Sequence, residues 1–181
     1  MLEAAGIAFT SEAAAMDERA IEADLEGAAA ADVAAALAEA KALSVSRGRL
    51  SDLVLGSDSL VVCDGRRFDK PADRKEAARH LAFFAGKTME LHSAAALARG
   101  GEIVWSGGAL ARLAVRPLSP AFIEAYLDAE WPEVAGCVGV FRIEARGVQL
   151  FERLEGDHFT ILGMPLLQVL AALREQGEIA S

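Results

Sequence analysis

Apolar positions along this chain change their spacing several times, and each change predicts an element. Met1-Leu2-Glu3-Ala4-Ala5 reads as a helix stopped by Gly6, and Ile7-Ala8-Phe9 then alternates like a strand. The opening helix is short and has no N-cap, so the chain is expected to begin inside a helix. Val33, Leu37 and Ala40 share one face of a helix running from about Asp32, its N-cap, to the Arg47-Gly48 region, with Lys41 at the edge of that face. The alanine cluster from Ala28 to Ala36 belongs with this helix rather than with a linker. Leu53-Val54-Leu55 and Leu60-Val61-Val62-Cys63 read as two short strands separated by Gly56-Ser57-Asp58-Ser59, and Asp64-Gly65 predicts a tight hairpin into Arg66-Arg67-Phe68.

Asp73 with Glu76 three residues on predicts a capped helix start, and that helix carries Leu81 and Phe84 and stops at Gly86. Met89 to Ala98 and Glu102 to Ser106 form a predicted hairpin around Gly100-Gly101, and Leu113 and Val115 alternate in a further strand. Ser119-Pro120 opens a helix, with Leu118 placed to pack onto Ile123. Val138-Gly139-Val140-Phe141 and Val148-Gln149-Leu150-Phe151 read as strands. Pro165 opens a last amphipathic helix through Leu166, Val169, Leu170 and Leu173, ending at Gly177. Strands and helices intermix and hairpins are present, which predicts an α/β fold with a mixed sheet covered by helices.

Length and composition agree with a folded domain. The 181 residues suit one domain with a sizeable core, and the apolar fraction of 53%, much of it alanine, favours helices. The net charge of −9 argues against a protein that coats a nucleic acid polymer, although a small anion needs only a few local cations or a metal held by carboxylates. Cys63 and Cys137 lack metal or redox spacing and read as reduced thiols. No basic-then-apolar leader opens the chain and no apolar run is long enough to span a bilayer, so a cytoplasmic protein without a membrane partner is expected.

Candidate chemistry centres on Asp58. A carboxylate between two apolar runs needs a metal, a cation or backbone donors, unless it is a turn Asp eased by Gly56 and water; the pattern leaves both open. Pro71 biases Lys70 toward an extended backbone, so Lys70 either aims at the same strand ends or is a solvated lysine. Lys41 at its helix edge reads as a surface lysine, and Glu18, in Asp17-Glu18-Arg19, as a solvated acid ahead of a helix. Alternation through Phe141-Arg142-Ile143-Glu144 puts Arg142 and Glu144 on one strand face, where an exposed ion pair is the plain reading. Glu155-Gly156-Asp157 reads as a turn. His80, His92 and His158 have no metal-binding spacing, and the chain has no nucleophile elbow, dinucleotide glycine motif or P-loop.

Four segments in register, however, resemble one family: Gly56-Ser57-Asp58-Ser59-Leu60-Val61-Val62, Asp69-Lys70-Pro71-Ala72-Asp73, Glu152-Arg153-Leu154-Glu155-Gly156-Asp157 and Leu162-Gly163-Met164-Pro165-Leu166. Together they resemble the Maf family of nucleotide pyrophosphatases, also described as septum formation inhibitors. The resemblance implies a fold similar to inosine triphosphate pyrophosphatases, a long curved mixed sheet flanked by helices with a cleft for the nucleotide. It implies cleavage of a nucleoside triphosphate between the α- and β-phosphates to the monophosphate and pyrophosphate, a divalent cation (Mg²⁺ or Mn²⁺), and often a homodimer. Carried over by position, Asp58 matches the catalytic acid and Lys70 the lysine of the KP motif. Lys41 and Ser59 fall to substrate binding, and Glu18 joins Asp58 as a metal ligand. Glu144 stands where the best-known branch has glutamine. An ionised Glu144 can only accept hydrogen bonds, which suits a base presenting donors, a guanine-type ring or cytosine, rather than thymine or uracil. The family begins with a strand and a Ser-x-Ser-Pro-Arg-Arg loop ahead of the position of Met1, so residues 1–181 are expected to form a single Maf-like domain lacking that strand and phosphate-binding loop. The alternative expectation is a catalytically impaired relative that binds nucleotide or a cell-division partner.

Overall fold

The computed structural model describes residues 1–180. Five strands form an open sheet in the order β2-β1-β3-β4-β5, where β1 is Val54–Cys63, β2 Arg66–Phe68, β3 Thr88–Arg99, β4 Glu102–Val115 and β5 Phe151–Glu155. Among the described residues six α-helices accompany it: α1 Glu18–Asp24, α2 Ala30–Ser46, α3 Arg74–Phe84, α4 Pro120–Glu130, α5 His158–Ile161 and α6 Leu166–Glu175. The pairings are antiparallel, Val61 with Phe68 and Cys63 with Arg66 at one edge, Arg112 with Glu155 and Val115 with Phe151 at the other. Short hairpin turns make this direct: Asp64 and Gly65 both take left-handed backbone (φ 55° and 72°), the geometry a two-residue hairpin needs. The α/β class holds, with an antiparallel sheet where a mixed one was expected.

The chain divides into two compact units. The first comprises Met1–Ser59, Ser93–Ala109 and the residues from Asp157 onward. Its core gathers Ala95 and Leu97 of β3 with Met164, Leu166, Val169, Ala172 and Leu173 of the α6 region, and Leu55 of β1 packs against it. In the same unit α2 buries Val33, Leu37, Ala38 and Ala42. Gly56 of β1 lies so close to this helix that an added Cβ would fall 2.2 Å from the Ala38 carbonyl oxygen and 2.6 Å from the Ala42 nitrogen. Glycine is therefore present for close strand-on-helix approach rather than for a turn.

The second unit comprises Leu60–His92 and Leu110–Gly156. Phe68 of β2 meets the rings of His80, Phe83 and Phe84 on α3 at 5.0, 5.0 and 4.6 Å between centroids. Arg74 of α3 reaches Glu124 and Asp128 of α4 at 2.8 and 2.6 Å. Asp73 caps α3 by accepting the Glu76 N–H, while the Glu76 carboxylate accepts the N–H of Ala72, so the expected reciprocal cap is present one residue displaced.

Several expected boundaries differ. The segment Leu53–Cys63 is not two strands around a turn: β1 runs unbroken through Gly56-Ser57-Asp58-Ser59. Likewise β4 continues from Glu102 to Val115 as one strand. Ile7–Phe9 is coil, Met1–Ala5 is reduced to a 3-10 turn at Glu3–Ala5 closed by Gly6, and α2 begins at Ala30, placing Asp32 in its first turn rather than at the cap. Val138–Phe141 is a turn in which Gly139 and Val140 have φ 85° and 59°, and Val148–Leu150 lies in a 3-10 helix, Arg146–Leu150. Left-handed backbone cannot continue a strand, so β-branched composition alone misled there.

Candidate functional site

In the first unit three of the expected residues converge. Asp17 caps α1 by accepting the Ala20 N–H, which sets Glu18 as its first helical residue. Lys41 lies near the middle of α2, and Asp58 shares the α2-facing side of β1 with Gly56, two residues away on a period-2 strand. The Lys41 ammonium donates to Asp58 Oδ1 at 2.5 Å and sits 3.1 Å from Glu18 Oε1. The Asp58 and Lys41 side chains are only 13% and 23% exposed, against 50% for Glu18, so the innermost pair is largely withdrawn from water. Burial works against the ammonium. Hydrogen bonding and Coulomb attraction from Asp58, then from Glu18, outweigh it and hold the Lys41 pKa above the ordinary lysine value.

Lys41 and Glu18 open onto a cleft of about 590 Å³ whose polar wall also carries Glu12 and Arg49. Its volume is within the range of about 300–1,000 Å³ common for small-molecule sites. Arg49 is paired there with Glu12 through two N–H groups, at 3.1 and 2.8 Å. Neither residue carries a sequence signal; their meeting across 37 positions is a product of the fold.

Ser59 lies on the other side of β1. Alternation turns Ser57 and Ser59 away from Lys41, and their partners agree. The Ser57 hydroxyl lies 3.0 Å from the Ala94 carbonyl and 3.2 Å from that of Gly163. Ser93 donates to the Thr160 carbonyl at 2.9 Å, so its 2.8 Å contact with Ser59 is one in which Ser59 donates. The structure therefore brings Glu18, Lys41 and Asp58 together and sets Ser59 in a separate hydroxyl chain.

Lys70 and Glu144 belong to the second unit. Both are exposed, and Lys70 lies just before the buried Pro71, outside any helix or strand. Glu144 is not on a strand but in a turn, Ile143–Ala145. That turn is tight: a Cβ on Gly147 would lie 2.5 Å from the Arg142 carbonyl oxygen. Arg142 hydrogen-bonds the buried Glu130 through two nitrogens at 3.3 and 3.1 Å. The proposed cross-strand role with Glu144 thus gives way to a pairing with α4. Glu144, Arg142 and Lys70 all act on the thiol of Cys137, whose pKa is pushed up first by burial and then by Glu144. Nearby, the Tyr126 hydroxyl donates to the Val140 carbonyl at 3.0 Å, holding the left-handed Val140 in place. Cys63 and Cys137 are both free thiols.

As a cation site, the pair Asp58 and Glu18 offers hard carboxylate oxygens of the kind Mg²⁺ and Mn²⁺ prefer. Among the described residues no group of three or more His, Cys, Asp or Glu is placed to hold a metal by itself. Two carboxylates with the remaining positions left to water and phosphate oxygens is a usual arrangement for Mg²⁺, so the residues fit such an ion. No described helix is long and apolar enough to cross a membrane.

A family model described as Maf-like protein matches residues 1–176. The chain is 48% identical to a 7-methyl-GTP pyrophosphatase of Rhizobium meliloti (strain 1021), over 99% of this chain and 91% of that protein. It is 45% identical to nucleoside triphosphate pyrophosphatase 1 of Jannaschia sp. (strain CCS1), over 99% and 92%. It is also 45% identical to a nucleoside triphosphate pyrophosphatase of Nitrobacter hamburgensis, over 98% and 88%.

Proposed function

The chain belongs to the Maf-like family, and from that premise we propose that it hydrolyses a nucleoside triphosphate at the α–β anhydride, releasing the monophosphate and pyrophosphate. The observation that carries this reading is the convergence of Glu18 and Asp58 on the Lys41 ammonium, beside a cleft of about 590 Å³ that Glu18 and Lys41 line. Hydrolysis adds water across one P–O–P bond: the water oxygen bonds to phosphorus, the bridging oxygen leaves with its phosphate, and one proton passes to solvent. Asp58 is assigned either to orient that water as a base or to join Glu18 in holding a cation. Lys41 and Lys70 are assigned to phosphate oxygens, where positive charge favours the transition state. Asp58 and Glu18 would hold a divalent cation, which when bound supplies further neutralisation of phosphate charge.

Glu144 is assigned to the base. An acceptor-only carboxylate matches the adjacent N1–H and N2–H₂ donors of a guanine-type ring, and three similar proteins carry the name 7-methyl-GTP pyrophosphatase. Ser59, whose hydroxyl contacts that of Ser93, is assigned to substrate binding by the same resemblance. The two free thiols fit a reducing compartment, the cytoplasm.

The test is pyrophosphate release over dTTP, UTP, CTP, GTP and 7-methyl-GTP, with Mg²⁺ or Mn²⁺ and with chelator. Guanine-type substrates are expected to lead in kcat/KM, chelator to abolish turnover, and Asp58→Asn to lower kcat at least a hundredfold while circular dichroism is unchanged. Asp58→Asn turnover within a few-fold of wild type would remove Asp58 from the chemistry, and a lead for dTTP or UTP would remove Glu144 from base selection.

A further inference from the structure

We infer that Lys41 is an exchangeable stand-in for the divalent cation: it neutralises Glu18 and Asp58 when no cation is bound and is displaced from them into the cleft when a cation enters. The inference rests on the cation assignment above and adds a role for Lys41 that a phosphate-binding lysine would not have.

One ammonium touches both carboxylates, 2.5 Å from Asp58 and 3.1 Å from Glu18. These acids come from different elements, β1 and the start of α1. Two carboxylates aimed at one point repel unless a cation lies there, and with Asp58 only 13% exposed, water screens that repulsion poorly. Lys41 fills the point. Oxygen ligands surround Mg²⁺ at about 2.0–2.1 Å, so an ion coordinated by both acids would need the space that the Lys41 nitrogen occupies. Lys41 and the ion cannot share it.

The side chain has somewhere to go. Lysine is a point charge on a flexible four-carbon stem, and Lys41 lines the 590 Å³ cleft. Swung into the cleft, its ammonium loses two carboxylate partners and needs a new anion. A polyphosphate oxygen is such a partner, and one that arrives with the cation. The exchange therefore couples the two ligands: without nucleotide, Lys41 competes with the cation and keeps its affinity low; with nucleotide, the displaced ammonium is compensated. An arginine, with its rigid fork, would be harder to displace from a carboxylate.

The experiment measures Mn²⁺ binding to nucleotide-free protein by electron paramagnetic resonance at constant pH. Lys41→Met is expected to bind Mn²⁺ at least tenfold more tightly than wild type although it loses turnover, and adding Asp58→Asn to it should return the affinity to the wild-type level or below. Binding by Lys41→Met that equals or falls short of wild type overturns the inference. A second measurement needs no variant. Amine acylation of Lys41 in the wild-type protein, followed by mass spectrometry, should speed up with Mg²⁺ alone and slow again when a triphosphate is added. A labelling rate indifferent to Mg²⁺ also overturns the inference. Failure of the pyrophosphatase reading is seen separately, as absence of pyrophosphate release by the wild-type protein.

Discussion

His80 enters an apolar cluster with its ring edge-on to Phe68 and only 8% of its surface exposed, and its Nδ1 is buried without a hydrogen-bond partner among the described residues. Burial is the main reason its pKa lies below the ordinary histidine value. Glu76 and Asp69 oppose the shift, and Arg66 and Arg79 add to it. The unfolded chain, with a histidine near pH 6.5, therefore binds the proton more readily than the folded one. The stabilisation is present above about pH 6.5 and is lost as pH falls from there through the depressed folded value. Urea unfolding at pH 7.5 and 5.5 is expected to show wild type losing stability on acidification and His80→Leu losing distinctly less. An equal loss in both proteins would assign the pH dependence to other groups. Sequence patterning identified His80 as structural rather than metal-binding, because structural placement needs no partner motif. The same patterning treated Lys41 and Glu18 as solvated residues. Their meeting with Asp58 spans 17 and 40 positions, and only the family resemblance pointed to it.

At the scale of elements, the contact of β1 with α2 decides whether the candidate site exists. Gly56 and Asp58 face the same helix, one allowing the backbones to approach and the other receiving Lys41 from it. Gly56→Ala would place a methyl carbon against the Ala38 carbonyl and the Ala42 nitrogen, which are helix backbone and cannot swing aside as a side chain could. Overpacking of this kind costs about 1–3 kcal/mol. Because the relief is to push α2 away, the Lys41–Asp58 distance should lengthen with it. Gly56→Ala is thus expected to lower both the urea midpoint and kcat, whereas Gly65→Ala, in an open turn with nothing near its Cβ, should leave kcat unchanged. Full activity in a Gly56→Ala protein would show that the close approach is dispensable. Helix starts such as Asp73 and Ser119 were legible because capping is local chemistry. The continuity of β1 was not, because glycine, serine and aspartate in a row carry the composition of a turn and are held in a strand only by partners distant in sequence, Ala94, Ser93 and Gly163.

For the whole molecule the net charge of −9 sets a condition on its substrate. A free triphosphate carries several negative charges and meets a protein of the same sign, so association is favoured only where local cations outweigh the field. Lys41 and Arg49, which line the cleft wall, are both engaged by carboxylates. Binding should therefore depend on a divalent cation even before any bond is broken. Stability can report this without turnover, since a ligand that binds only the folded chain stabilises it by RT ln(1 + [L]/Kd), about 2.7 kcal/mol at a hundredfold excess over Kd. For a chain of 181 residues, each kcal/mol moves Tm by roughly 2–4 °C. An α,β-methylene guanosine triphosphate, whose α–β link resists hydrolysis, is expected to raise Tm by about 5–10 °C with Mg²⁺ and by little with chelator. Asp58→Asn should lose most of the Mg²⁺-dependent part. The same assay separates catalysis from mere binding. A Mg²⁺-dependent shift together with pyrophosphate release from the natural triphosphate marks an enzyme, while the shift without release marks a nucleotide-binding relative whose role lies in interaction. An equal shift with chelator would mean that residues other than Asp58 and Glu18 compensate the phosphate charge, and the cation would then have no place in recognition.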